Sequence, residues 1–367
     1  MDYGEFKEKF TQDVKDRLKE EGSNIIISVN EVKKLNERYE AITAVAEGDN
    51  IGVNVGIEKF YGAYEDGASY GRVVDKAIEV IKTGIGHKPE INVEDLGDYS
   101  KMKDKLIMEV VSAEANKEML ENIPHQMLED MAVVYRFAVE SADSVQGSIL
   151  ITDTMVAHFG ITPEQLHADA MENAPQIKPI EIKGMSEVLV EMMGIEQAEM
   201  MGLGLVPPED EQMYVASVPD KTHGAGVLAY QDFMDQAAER AGGDFFILPS
   251  SIHEVLIVPD NGRMDLQSLE NMVKEVNATQ VQPSEKLTDS VYHYDSKEKV
   301  FELGEKFVQR QALKKHERTD DKEAGEKTSG EKRSVMDDLK AKKEKAARQP
   351  KKEVSEKGSR AKGGDAL

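Results

Sequence analysis

Apolar residues recur along this chain with two periods, and the switches between them mark its elements. Over residues 3–21, Phe6, Phe10, Val14 and Leu18 return at every fourth position, which predicts a helix with one buried stripe. Glu5 with Lys9 and Asp13 with Arg17 are spaced as ion pairs on its wet side, and Gly22 is placed to stop it. Three strands are predicted next: 24–29, 39–46, and a third in which Ile51, Val53, Val55 and Ile57 alternate with Gly52, Asn54, Gly56 and Glu58. A helix capped by Ser69 follows to about Lys82, with Val73, Ala77, Ile78 and Ile81 as its stripe and Gly84 as its end.

Further on, a short helix near 98–104 leads into the apolar run Leu106–Val111. Residues 128–141 read as one strand, with 148–152 as its antiparallel partner. Thr162-Pro163-Glu164-Gln165 starts a helix to about Asn173, with Thr as N-cap, Pro at the first helical position and Gln three residues past the cap. Residues 185–193 form a short helix, followed by a loop-rich insertion. After it come a strand over 213–218 and a helix over 231–241. The block Gly242–Asp295 is the most strongly patterned: strands 245–248 and 252–258, a helix capped by Asp265 with Leu266, Leu269, Met272, Val273 and Val276 inward, then a hairpin of 291–294 and 300–303. The expected fold class is α+β, with antiparallel sheets partly covered by helices. The expected organisation is an N-terminal unit over 1–92, a larger unit over 93–313 with a Met-rich insertion at 183–213, and a disordered basic tail over 314–367.

Charge sharpens that division. The 367 residues carry a net charge of −24. Residues 314–367 hold 17 Lys or Arg and 12 Asp or Glu, which leaves 29 basic and 58 acidic residues in the rest. The tail is basic and poor in core-forming residues, a composition that cannot bury enough apolar surface to order itself. The acidic body is unsuited to direct contact with a nucleic-acid backbone. It leaves open an acidic decoy that occupies nucleic-acid-binding proteins. The absence of Cys excludes disulfides, thiol nucleophiles and thiolate metal sites, and fits a reducing cytoplasm. No signal-peptide pattern opens the chain, and no run is long and apolar enough to span a bilayer, so no membrane association is expected.

Two segments suggest contact with another protein. Six of the 18 Met fall within 183–213, and Met192, Met193, Met200 and Met201 there offer an adaptable surface. In the tail, Val335, Met336 and Leu339 behind Ser334 make an apolar island of the kind that folds on a partner.

Chemistry-bearing motifs are sparse. His158 lies in the last turn of a short helix, where the dipole favours it. His167 and Asp169 are two apart and do not share a helix face. His253 and Glu254 are adjacent on a strand and diverge. If the strands carrying them pair, His253, His293 and Asp295 converge, and two imidazoles with one carboxylate suffice for Zn or Fe in a metal-dependent hydrolase. Thr222-His223-Gly224-Ala225-Gly226 fits neither a phosphate loop nor a dinucleotide fingerprint. Asn277-Ala278-Thr279 has the form of a glycosylation acceptor. No catalytic residues and no cofactor are assigned.

Two stretches carry a resemblance: NIPHQMLEDMAVVYRFAV (122–139) with ITPEQLHADAMENA (161–174), and VPDKTHGAGVLAYQDF (218–233) with SVYHYD (290–295). They resemble the bacterial domain-of-unknown-function family numbered 5688, found in gut Firmicutes, across roughly residues 1–313. The resemblance implies no catalytic residues. The tail piece RSVMDDLKAKK (333–343) is similar to basic tails of proteins encoded on conjugative elements. The leading expectation is a cytoplasmic, non-enzymatic interaction or accessory factor of a mobile element.

Overall fold

A computed structural model describes residues 1–49, 51–87, 93–139, 147–207 and 210–314. Met1–Phe307 form one compact unit, and the chain from Val308 onwards belongs to a second. The expected boundary at residue 92, the tail over 315–367 and its island Val335, Met336 and Leu339 lie outside the described residues.

The N-terminal layer follows its pattern closely. Helix α1 (Tyr3–Glu20) buries the predicted Phe6, Phe10, Val14 and Leu18, and the Asp2 carboxylate caps it by accepting from the Glu5 N–H. On its wet side Lys9 pairs with Asp13 at 2.7 Å in place of the expected Glu5–Lys9 pair, and Arg17 reaches Asp75 while its charge still favours the Asp13 carboxylate, as that spacing predicts. Strands β1 (Ile25–Lys34), β2 (Glu37–Ala46) and β3 (Gly52–Gly56) form an antiparallel sheet in that order. Ile57 does not end β3 but opens helix α2 (Ile57–Glu65), which the alternating pattern concealed. Phe60, Tyr61 and Tyr64 of α2 lie at helical spacing and pack on α1: Phe60 stacks on Phe10, Tyr61 meets Phe6 edge-on, and Tyr64 meets Phe6 at a tilt. Helix α3 (Tyr70–Gly86) runs past the expected stop at Gly84. That glycine is needed for packing, because a Cβ there would lie 2.7 Å from Val53 Cγ2. This layer has its own core, and each fully buried large side chain in it is worth about 2 kcal/mol.

The remainder carries two further sheets. After the short helices α4 (Val93–Leu96) and α5 (Tyr99–Met102) comes β4 (Leu106–Ser112), then α6 (Lys117–Leu120). The expected single strand 128–141 is a hairpin, β5 (His125–Leu128) and β6 (Met131–Val139), turned at Glu129-Asp130 with Glu129 at φ 57°. β7 (Gly147–Leu150) pairs with the same edge of β6 as β5 does, and β4 pairs with the other. Helices α7 (Asp153–Phe159) and α8 (Pro163–Ile177) follow, α8 with the predicted Thr162 cap, whose hydroxyl accepts from the Gln165 N–H at 3.2 Å.

The third sheet has six antiparallel strands. It uses β8 (Glu181–Gly184), after which come α9 (Met185–Met193) and α10 (Ile195–Met200), then β9 (Tyr214–Ser217) and α11 (Phe233–Ala241). β10 (Phe245–Leu248), β11 (Val255–Pro259), α12 (Leu266–Thr279), β12 (Tyr292–Asp295) and β13 (Val300–Leu303) complete it, in the order β13-β12-β10-β11-β9-β8. Alternation decides its two faces. Phe245, Ile247, Tyr292 and Tyr294 enter the main core shared with Met108, Val133, Tyr135 and Phe137 of the four-stranded sheet. Phe246 and Leu248 point the other way, onto Leu269 and Val273 of α12. The fold is α+β with helix-covered antiparallel sheets. Among the described residues no helix is long and apolar enough to cross a membrane.

Candidate functional site

Two charged residues interrupt the apolar strands β4 and β6. Ile107 lies opposite Arg136, so Glu109 is diagonal to Arg136 on the same face. Glu109 is 3% exposed, and its carboxylate sits 3.4 Å from Arg136 Nε. The segment Thr222–Gly226 closes against this pair. Gly226 rides on the β4 backbone, where a Cβ would lie 2.5 Å from the Met108 carbonyl oxygen, and a Cβ on Gly224 would overlap Ser217 and the His253 carbonyl. This close approach explains why glycine stands at both positions. His223, left-handed at φ 55°, brings Nδ1 within 3.8 Å of Glu109. Its N–H donates to His253 Nδ1 at 3.3 Å, and His253 Nε2 lies 3.6 Å from Glu285. Burial pushes the His223 pKa down, Glu109 opposes that, and Arg136 and His253 add to it. A hollow beside the cluster is lined by Glu109, Ser148, Lys178, Thr222, His223 and Tyr230. The arrangement is a buried carboxylate with one imidazole beside it, His223, and a second, His253, packed against the first with ring centroids 5.7 Å apart.

His293 occupies a different place. It is fully buried on β12, stacked on Phe307 with ring centroids 3.5 Å apart, and its Nε2 contacts Asp260 at 3.2 Å. Its Nδ1 finds no partner, and burial holds its pKa below the usual imidazole value. Asp295 turns the β12–β13 hairpin by accepting from the N–H groups of Lys297 and Glu298.

Residues 192–206 form a surface of another kind. Of the fifteen large apolar side chains exposed among the described residues, seven lie in this window, led by Met200 at 89%, Met192 at 76% and Leu205 at 60%. The segment has a defined shape. Gly194 (φ 85°) separates α9 from α10, Gly202 (φ 71°) ends α10, and fully buried Ala198 anchors it. The Glu211 carboxylate accepts from Ser186 Oγ at 2.7 Å, and Ser186 Oγ in turn accepts from the Val206 N–H at 3.4 Å, so the returning loop is tied to the start of α9.

The model of the Family of unknown function (DUF5688) matches residues 3–296. The chain belongs to this family. No curated protein and no solved structure matches it.

In this DUF5688 chain the three metal-ligand candidates do not converge. His253 packs against His223 and reaches Glu285, while His293 and Asp295 share one face of β12. Among the described residues, no group of three or more His, Cys, Asp or Glu is arranged to hold a metal ion. Of the Met candidates, Met192, Met200 and Met201 are exposed, while Met193 is half-buried. Asn277 is buried and donates to the Thr288 carbonyl and to Asp289, so it is not a glycosylation acceptor. Glu109, Arg136 and His223 escaped sequence reasoning. The available signal was a lone charge inside each of two otherwise apolar strands. Asp130 also escaped it. In the β5–β6 turn it accepts from the hydroxyls of Thr288, Ser290 and Tyr292, tying the four-stranded sheet to the six-stranded one.

Proposed function

We propose that this chain is a protein-interaction factor that docks a partner on Met192–Val206. One observation carries this reading: seven large apolar side chains are exposed together on a segment whose backbone is fixed by Gly194, Gly202 and the Glu211–Ser186 contacts. Large apolar side chains exposed this densely along one segment are costly to leave in water and mark binding sites. Methionine, unbranched and polarizable, adapts to a partner's shape. A cytoplasmic setting fits the absence of Cys, and an accessory role on a mobile element rests on the resemblance of residues 333–343. The test is affinity capture from host lysate with the full chain and with Met200→Gln/Leu205→Gln. Both side chains are exposed, so the melting temperature should hold while a specific partner is lost. Retention of every partner by the variant would overturn the reading.

A second reading rests on Glu109. A buried carboxylate beside the His223 imidazole and a hollow, with His253 packed behind His223, suits proton transfer to a small ligand. A thermal-shift screen of small metabolites tests it: a ligand that stabilises the wild type and loses its effect in Glu109→Gln supports it, and an absence of any such ligand removes it.

A further inference from the structure

The exposed segment carries charge as well as apolar surface, and the combination specifies what it fits. Residues 184–213 contain seven Asp or Glu and no Lys or Arg. Glu187, Glu196, Glu199 and Asp210 are exposed among the apolar side chains. Glu191 is satisfied by Lys183 at 2.7 Å, Lys221 adds to the positive field there, and Arg263 donates to Gln212 at the far end of the stretch, so the nearby cations flank Met192–Val206 in sequence. Adaptable apolar side chains interleaved with carboxylates complement a helix that has an apolar stripe flanked by Lys or Arg. The same carboxylates, on a chain of net charge −24, repel a nucleic-acid backbone, an anionic bilayer and the acidic body of a second copy.

Resting on the docking reading above, we propose that Met192–Val206 receives a basic amphipathic helix of a partner protein. The apolar stripe supplies affinity, and the acidic residues supply orientation and fast, salt-sensitive association.

The experiment uses the full chain and a fluorescein-labelled peptide of about 18 residues, with Leu at helical i, i+3, i+4, i+7 spacing and Lys elsewhere. Three comparison probes accompany it: the same Leu stripe with Glu for Lys, a scrambled Lys/Leu peptide of equal charge, and phosphatidylglycerol vesicles. By fluorescence anisotropy the Lys/Leu helix should bind and the Glu/Leu and scrambled peptides should not. Glu196→Gln/Glu199→Gln should weaken binding about tenfold and flatten its salt dependence. Met200→Gln/Leu205→Gln should abolish it. Equal binding of the Lys and Glu peptides, unmoved by the Glu196→Gln/Glu199→Gln change, would overturn the basic partner while leaving the docking surface standing. Binding that survives Met200→Gln/Leu205→Gln would place the peptide elsewhere and overturn both. Binding of vesicles instead of peptides would make the occupant a lipid surface and overturn the partner helix. No peptide binding, with a dimer in sedimentation that Met200→Gln/Leu205→Gln dissociates, would make the occupant a second copy. No binding by any probe, with the chain monomeric, would overturn the partner class.

Discussion

At the scale of single residues, the least expected feature is charge placed where the strand pattern calls for Val or Ile. Glu109 is buried and relies on Arg136 at 3.4 Å. Removing one member of such a pair strands the other without compensation, whereas replacing both with uncharged groups is far milder. Arg136→Met should therefore cost about 3 kcal/mol in urea unfolding, and Glu109→Gln/Arg136→Met should recover most of it. A single-variant cost near zero would show that Glu109 is held by other means. His293 makes a pH-dependent prediction. Its folded pKa lies below its unfolded value of about 6.5, so in that window the unfolded chain binds more protons and stability rises with pH. The stability that His293 contributes is thus present near pH 7.5 and declines as pH falls below about 6.5. Stability curves should show His293→Leu most damaging at the higher pH, with the gap narrowing towards pH 5.5. A gap that widens on acidification would mean that the ring is charged in the folded state.

At the scale of elements, glycines separate local from tertiary causes. Gly62 in α2 has open space where a Cβ would stand, so Gly62→Ala should add about 0.5–1 kcal/mol through helix propensity alone. Gly84 in α3 faces Val53, and Gly226 faces the β4 backbone. Gly84→Ala should lose its propensity gain to crowding, and Gly226→Ala should cost about 2 kcal/mol because a backbone carbonyl cannot step aside. Thermal melts of the three variants check the order; a stabilising Gly226→Ala would refute the close approach. These elements also show what periodicity could and could not reveal. The stripes of α1, α3 and α12 were readable because a buried helix face repeats every three to four residues. Helix α2 was hidden because Ile57 continues the strand alternation for one more step. The β5–β6 hairpin was hidden because its turn, Glu129-Asp130, lacks the Gly or Asn that usually announces a left-handed position.

At the scale of the whole unit Met1–Phe307, polar residues join separate cores. The N-terminal core draws on α1, the first sheet, α2 and α3, and it meets the remainder through the β1–β2 hairpin. There Leu35 packs beside Leu120 and Ile123, and Asn116, 2% exposed, accepts from the Asn36 N–H and donates to Asn36 and to the Ser112 carbonyl. Asn116→Ala leaves the Asn36 N–H without that partner and should cost about 2 kcal/mol. Hydrogen exchange should speed up first at residues 33–38; uniform acceleration across the unit would show that this contact is not a local joint.

The sequence by itself determined the fold class, the helix stripes, the Thr162 and Asp265 caps (Ser69 stands at its N-cap position but its side chain makes no capping hydrogen bond), the acidic body, the basic C-terminal composition and the Met-rich segment. Each is a property of neighbours along the chain, where period, composition and propensity act directly. Only the tertiary structure decided which charges meet. Glu109, Arg136, His223 and His253 come from four segments, and their encounter depends on strand register and on two glycines that let one backbone lie against another. That Met193 is half-buried while Met200 stands exposed is likewise fixed by how α9 and α10 seat on their neighbours. Spacing along a chain sets which residues share a face; only packing sets which faces meet and which remain in water.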